Sequence, residues 1–202
     1  MTKLNLEIDR TDGESIKSSF DRIAKDIFRS AIKVNNHELR VTEIEFYFWS
    51  DEHQDYSTHD HNRDAGEWRM HNQGIDITFQ AEGDSKCGQV GGILIRGIYD
   101  DSIVEDRKIS QYINGPRLVM FRIFQLMGKV EAQNTLQLVP GRFQTLPPIY
   151  TAQRHGLKEA KTDTYEISKE LYMDKANRYF TDKGKLSYPA SHWGKLKISE
   201  LV

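Results

Sequence analysis

Hydrophobic residues first recur at helical spacing: Ile16, Phe20, Ile23, Ile27 and Phe28. With Thr11, Asp12 or Ser15 as caps, this spacing predicts a helix running to about Val34 and stopping at Asn35-Asn36. The period then changes. Over residues 40–49, Ile44, Phe46 and Phe48 alternate with Glu43, Glu45, Tyr47 and Trp49, which predicts a strand with Glu45 and Tyr47 on one face. Residues 50–67 read as a polar loop rich in Asp and His. Residues 74–80 read as a second strand, with Ile75, Ile77 and Phe79 on one side and Asp76, Thr78 and Gln80 on the other. A turn is expected over 82–88.

Residues 92–98 are apolar on both faces, so they predict a central strand. Asn114-Gly115-Pro116 opens a helix, with Asn as the cap and Pro near the first turn, where a missing N–H costs little. Residues 118–127 are apolar nearly all round, which predicts a buried helix ended by Gly128. Residues 129–150, with Pro140, Pro147 and Pro148, read as irregular. The last fifty residues are polar and mixed, with no period.

Composition narrows the picture. The chain has 202 residues, 38% apolar and 29% charged, enough to bury a core as one domain. A single cysteine, Cys87, excludes an intramolecular disulfide framework and points to a reducing compartment. Glu7, Asp9 and Arg10 stand where a signal peptide needs an apolar run, and no stretch nears the roughly 18 apolar residues of a membrane span. The net charge of −2 argues against gripping nucleic acid by bulk electrostatics. Residues 151–202 nevertheless carry ten Lys and Arg against seven Asp and Glu. That basic end is either a phosphate-facing surface or a solvated face.

Three groups could carry chemistry. Glu45 and Tyr47 share a strand face that is either solvent-exposed or turned into a cleft, where Glu45 could act as a general base and Tyr47 as a pocket wall. His53, His59, Asp60 and His61 have the composition of a metal site but match no closed ligand spacing. A plain polar loop, or one histidine (His59) bonding a phosphate or water, are the other readings. Arg96 lies inside an Ile-rich strand, so it needs a buried acidic partner or an opening onto a cleft.

In order along the chain, these segments resemble the alkyladenine (methylpurine) DNA glycosylase family. Glu43-Ile44-Glu45-Phe46-Tyr47 resembles the family's Glu-x-Glu-x-Tyr strand, and His59 stands near its following histidine. Gly74 leads the next strand, Gly92 to Arg96 resembles an apolar strand ending in arginine, and Asn114-Gly115-Pro116 resembles a helix start. Arg154-His155-Gly156-Leu157 is similar to an Arg-x-Gly-Val segment, and Asn177-Arg178-Tyr179-Phe180 to a closing strand. The resemblance spans about residues 40–182. At the places of the family's base-sandwiching and wedge aromatics stand Met70 and Gln73, and Gln80 falls near its asparagine.

The resemblance implies an α+β single domain around a curved, mainly antiparallel sheet. An N-terminal helix region (1–36), a glycosylase-like core (37–182) and a C-terminal tail (183–202) would compose it. It implies excision of an alkylated or deaminated purine, flipped from DNA and released by water attack at the glycosidic carbon. Glu45, His59 and Arg96 would be catalytic. Tyr47, Met70 and Gln80 would line the base pocket, and Gln73, Asn114, Arg117 and Arg154 would contact nucleic acid. No metal or cofactor is implied. A cytoplasmic monomer in base excision repair, nucleoid-associated when on DNA, is expected. The alternatives are a relative that binds a nucleotide or single strand without catalysis, and a metal-dependent hydrolase using His53, His59, His61 and Asp60.

Overall fold

Phe20, on one helix, and Phe46, on one strand, stack with ring centroids 4.4 Å apart, and the core is built around them. The computed structural model of the protein describes residues 4–83, 88–104, 110–129, 131, 133–154, 175–182 and 198–201. Helix α1 (Gly13–Phe28) starts where the Asp12 carboxylate accepts the Ser15 N–H at 2.8 Å. Its buried face is the periodic set Ile16, Phe20, Ile23, Ala24, Ile27 and Phe28.

The strands, in chain order, are β1 (Ala31–Val34), β2 (His37–Ser50), β3 (His53–Gln54), β4 (Trp68–His71), β5 (Gly74–Thr78) and β6 (Val90–Tyr99). They continue as β7 (Tyr112–Asn114), β8 (Leu136–Val139), β9 (Ile149–Ala152), β10 (Arg178–Phe180) and β11 (Ile198–Leu201). Helix α2 (Pro116–Met127) lies between β7 and β8. All join one open sheet of order β11-β9-β10-β2-β6-β5-β4, with β1 and β8 added beside β2, and β3 and β7 as short flanking pairs. Every pairing is antiparallel. The chain is thus an α+β domain with a mainly antiparallel sheet and two helices among the described residues.

Four expectations change. The first helix ends at Phe28, not Val34, because Ile32 and Val34 gain pairing partners on both sides, β2 and β8. β-branched residues fit that pleated surface. Asn35 takes φ 52° in the two-residue β1–β2 turn, a conformation Asn tolerates. Residues 129–150 are not wholly irregular, since the four-residue β8 was too short to show a period. The C-terminal end is not a free tail: Ile198–Leu201 pairs with β9 as β11.

Helix α2 is the fourth correction. It buries only Val119, Ile123 and Leu126, against the sheet, while Leu118, Phe121 and Phe124 are exposed. A helix packed on one side of a sheet hides one stripe, however apolar the rest. Asn114 does not cap it. Gly115 holds the cap position, φ 113°, without a side-chain bond. The far end is closed by Asn35, whose Nδ2 donates to the Leu126 and Met127 carbonyls at 2.9 and 3.0 Å. No helix among the described residues is long and apolar enough to cross a membrane.

Strand register sorts the side chains. Ile44, Phe46 and Phe48 of β2, Ile93 and Ile95 of β6, and Ile75 and Ile77 of β5 face the two helices and form the core. The opposite face carries Glu43, Glu45 and Tyr47. The expected turn at 82–88 falls partly, and the segment 155–157 following Arg154 wholly, outside the described residues.

Candidate functional site: a buried carboxylate and guanidinium cluster

On the second face, Glu45 lies opposite Leu94 of β6 and Arg178 of β10. Glu43 lies opposite Gly97 and Phe180. The β2–β6 register shifts on both sides of Glu43, so Thr42 and Arg96 fall between the register positions of a double irregularity. Such bulges re-aim side chains, and here Arg96 is turned toward both glutamates. A Cβ on Gly97 would sit 2.7 Å from Thr42 Oγ1 and 3.0 Å from Glu43 Cβ, so the close approach requires glycine.

Arg96 Nε donates to Glu43 Oε1 at 2.9 Å, and Arg96 Nη1 donates to Glu45 Oε2 at 3.0 Å. Arg178 Nε donates to the same Glu43 oxygen at 2.8 Å, with Nη2 2.7 Å from it. The Tyr47 hydroxyl donates to Glu45 Oε2 at 2.7 Å. Glu43, Glu45 and Arg178 are buried. Two carboxylates and two guanidiniums cancel in formal charge, the condition under which such a cluster survives burial. Glu45 Oε1 is buried and has no hydrogen-bond partner among the described residues.

A second buried pair abuts the first. Arg154 Nη1 donates to Asp55 Oδ2 at 2.7 Å, to the Phe46 carbonyl at 3.1 Å and to Ser57 Oγ at 3.2 Å. Its guanidinium carbon lies 4.7 Å from the Tyr47 ring centroid, a cation–π contact. Burial pushes the Asp55 carboxyl up, but Arg154 and the Ser57 hydroxyl and N–H outweigh it and hold the group below the usual aspartate range. Arg154 is held charged despite its burial, chiefly by Asp55. Burial, then the Glu45 charge, lifts the Tyr47 phenol well above its ordinary value, so Tyr47 is a neutral donor.

The structure brings Glu45, Tyr47 and Arg96 into direct contact. It does not add His59, which is exposed on its loop. Met70 is corrected too. Its neighbour Arg69 lies opposite Asp76, which lies opposite Leu94 and hence on Glu45's face, so Met70 points to the other face. Gln80 is exposed, its Nε2 donating to Asp64 Oδ1 at 3.1 Å. Gln73 sits at the exposed tip of the β4–β5 turn, and Arg117 is exposed at the start of α2. Asn114 lies on β7 opposite Gly97, its Oδ1 buried without a partner among the described residues. Arg154 is not a surface contact for nucleic acid, because it is buried and committed to Asp55.

The histidine-rich loop is dispersed. His53 is buried with Nδ1 2.8 Å from the Phe48 carbonyl, and burial, then Lys175, pulls its pKa down. His61 Nε2 lies 2.8 Å from the Gly91 carbonyl. Among the described residues no three His, Cys, Asp or Glu side chains are grouped to hold a metal. The three histidines and Asp60 therefore do not support the hydrolase alternative.

Sequence reasoning missed Glu43, Arg178 and Asp55 as partners. The demand of Arg96 for acids, with Glu43 two residues from Glu45, was the signal for the first. It also missed His71, Arg69 and Asp76, on Glu45's face. His71 Nε2 is 3.0 Å from Asp76 Oδ2, and its Nδ1 accepts the Gln73 N–H at 3.2 Å. The Asp76 contact is an ion-pair distance only, since Nε2 is buried without a hydrogen-bond partner among the described residues. A hollow of about 1150 Å³ beside Leu6, Trp68 and Phe79 contains none of Glu45, Tyr47 or Arg96.

These residues define an α+β protein whose sheet has one hydrocarbon face and one face bearing a charge-balanced buried cluster. The chain matches no family model and no curated protein.

Proposed function

We propose that the protein is a DNA glycosylase-like hydrolase that releases an alkylated or deaminated purine, with Glu45 as the general base. The observation that carries this reading is the asymmetry of the Glu45 carboxylate. Oε2 is held by Tyr47 and Arg96, while buried Oε1 has no donor among the described residues. A buried acceptor without a donor is costly, and a water molecule is the smallest group that satisfies it.

In this reading a water on Oε1 attacks the sugar carbon of a flipped nucleotide. The carbon–nitrogen bond breaks, the electron pair leaves with the purine, and Glu45 takes the water proton. Arg96 fixes the carboxylate through its bond to Oε2. Tyr47, held by Arg154 on its ring, offers an aromatic surface to the base. The substrate is DNA carrying a modified purine. No step needs a metal or cofactor.

The test is incubation of the full chain with duplex DNA carrying hypoxanthine or an alkyladenine, scored by free base. Glu45→Gln is expected to lower the rate by roughly 10²–10⁴-fold. Activity that survives this change, or no released base from any such lesion, overturns the reading.

One observation favours a second reading, a nucleotide- or single-strand-binding relative without glycosylase activity. Met70 faces away from Glu45 and Gln73 occupies the exposed hairpin tip, so no aromatic stands at either place. Gln lacks the π-face that a wedge or stacking platform uses. Tighter binding of a short single strand than of lesion duplex, with no base released, would select it.

A further inference from the structure

We propose that the protein has a second site, a hollow that binds a nucleoside monophosphate through Arg40, Thr42, Tyr99 and Tyr112. The hollow measures about 450 Å³ and opens at the Arg40 end of the sheet face that carries Glu43. Ligand pockets run from about 300 to 1,000 Å³. Arg40 is register partner to Tyr99, and Tyr99 to Tyr112, so all three side chains share that face. The two tyrosine rings meet edge to face, 5.0 Å apart. The Arg40 guanidinium carbon lies 4.1 Å from the Phe143 ring centroid.

Three polar groups around the hollow point to the ligand. Arg40 stacks on Phe143 yet forms no ion pair among the described residues, so its planar fork of donors is positioned and unspent. Thr42 is 6% exposed, lines the hollow, and its Oγ1 has no hydrogen-bond partner among the described residues. Asp101 is exposed on the rim, also without an ion pair among the described residues. The remaining rim acids add little demand. Glu38 is paired with Arg142 at 2.7 Å, and Asp182 already has a partner.

A ligand that answers all three carries an anion, hydroxyl donors and a flat ring. A phosphate meets the guanidinium fork bidentately. Ribose hydroxyls donate to a carboxylate such as Asp101. A base stacks on the tyrosine wall, as in single-strand binding proteins. A bare anion would leave the aromatic wall and Asp101 unused, and an apolar ligand would strand Arg40 and Thr42. A free ribonucleotide offers all three, whereas one unit of a DNA strand offers the phosphate and the base but no free hydroxyl for Asp101. The site shares no residue with Glu45, Tyr47 or Arg96. A chain that binds here but releases no base therefore refutes the base-excision reading and leaves this one standing.

The test is calorimetric titration of the full chain, at low salt, with AMP, adenosine, ribose 5-phosphate and a five-residue deoxyadenosine strand. AMP is expected to bind about tenfold or more tightly than either fragment. Arg40→Gln and Tyr112→Ala should each weaken AMP by about tenfold, and circular dichroism should be unchanged for Arg40→Gln because Arg40 is exposed. Thr42→Val, nearly isosteric, should weaken it less. Preference for AMP over the strand marks a free-nucleotide site, and the reverse marks a flanking-strand subsite. Adenosine binding as well as AMP, absence of saturable binding by both AMP and the strand, or AMP affinity indifferent to both Arg40→Gln and Tyr112→Ala overturns the proposal.

Discussion

Strand β2 has two faces built on different physics. Toward α1 it offers Ile44, Phe46 and Phe48, held by area and packing. Toward the other side it offers Glu43 and Glu45, held by two guanidiniums in fixed directions. Hydrocarbon packing accepts another hydrocarbon of similar volume. An ion cluster accepts nothing that leaves a charge behind. The same strand should therefore be tolerant on one side and brittle on the other, although both sides are equally buried.

The largest effect is expected at Glu43, which receives both Arg96 and Arg178. Glu43→Gln leaves a buried guanidinium without its counter-charge and should cost about 3–5 kcal/mol, measured by urea unfolding. Ile44→Leu, equally buried and of equal volume, should cost less than about 1.5 kcal/mol. If Ile44→Leu proves as damaging, the contrast between the faces fails. A sharper version removes Glu43 and Arg178 together, as Glu43→Leu with Arg178→Met. The double variant should be more stable than Glu43→Gln, because no charge is stranded.

Acid should separate the groups by pH window. The folded pKa of His53 is depressed by burial, so the unfolded chain binds more protons below about pH 6.5. Its contribution is present above that pH and is lost as pH falls toward the folded value. Asp55 is likewise depressed, by Arg154 and Ser57 against burial. Its stabilisation is present above about pH 3.9 and is lost as pH falls through the lower folded value. His53→Phe should flatten the first decline in a plot of urea midpoint against pH, and Asp55→Asn the second. A His53→Phe curve that keeps its slope between about pH 6.5 and 5 would remove His53 from the account.

The legible parts of the molecule were those with a repeating period. The alternation at Ile44, Phe46 and Phe48 placed β2 and put Glu45 with Tyr47, because a pleated strand allows no other arrangement. Arg96 advertised its need for a counter-charge by standing among isoleucines. What stayed hidden depended on distant pairing. Arg178 meets Glu43 only because β10 lies beside β2 in the sheet, 135 residues away along the chain. Asp55 reads as one more loop acid until Arg154 is brought to it. Met70 stands at the place of the family's sandwiching aromatic along the chain, yet it lies on the core face of its strand. Register parity with Asp76 would have selected Arg69 and His71 instead.

The smallest effect tests the helix whose burial was misjudged. An apolar residue at 121 reads as core by composition, yet Phe121 is 54% exposed while Ile123, two positions on, is fully buried. Exposed positions away from special features change stability by about 0.5 kcal/mol or less. Phe121→Ser should therefore leave the unfolding midpoint nearly unchanged. Ile123→Ser opens a cavity and buries a hydroxyl, so it should cost at least about 2 kcal/mol. Measured side by side, the two variants ask whether α2 presents one face or two to the rest of the protein. A cost at Phe121 matching that at Ile123 would mean that the outer stripe is covered in solution, and the one-sided packing of α2 would have to be abandoned.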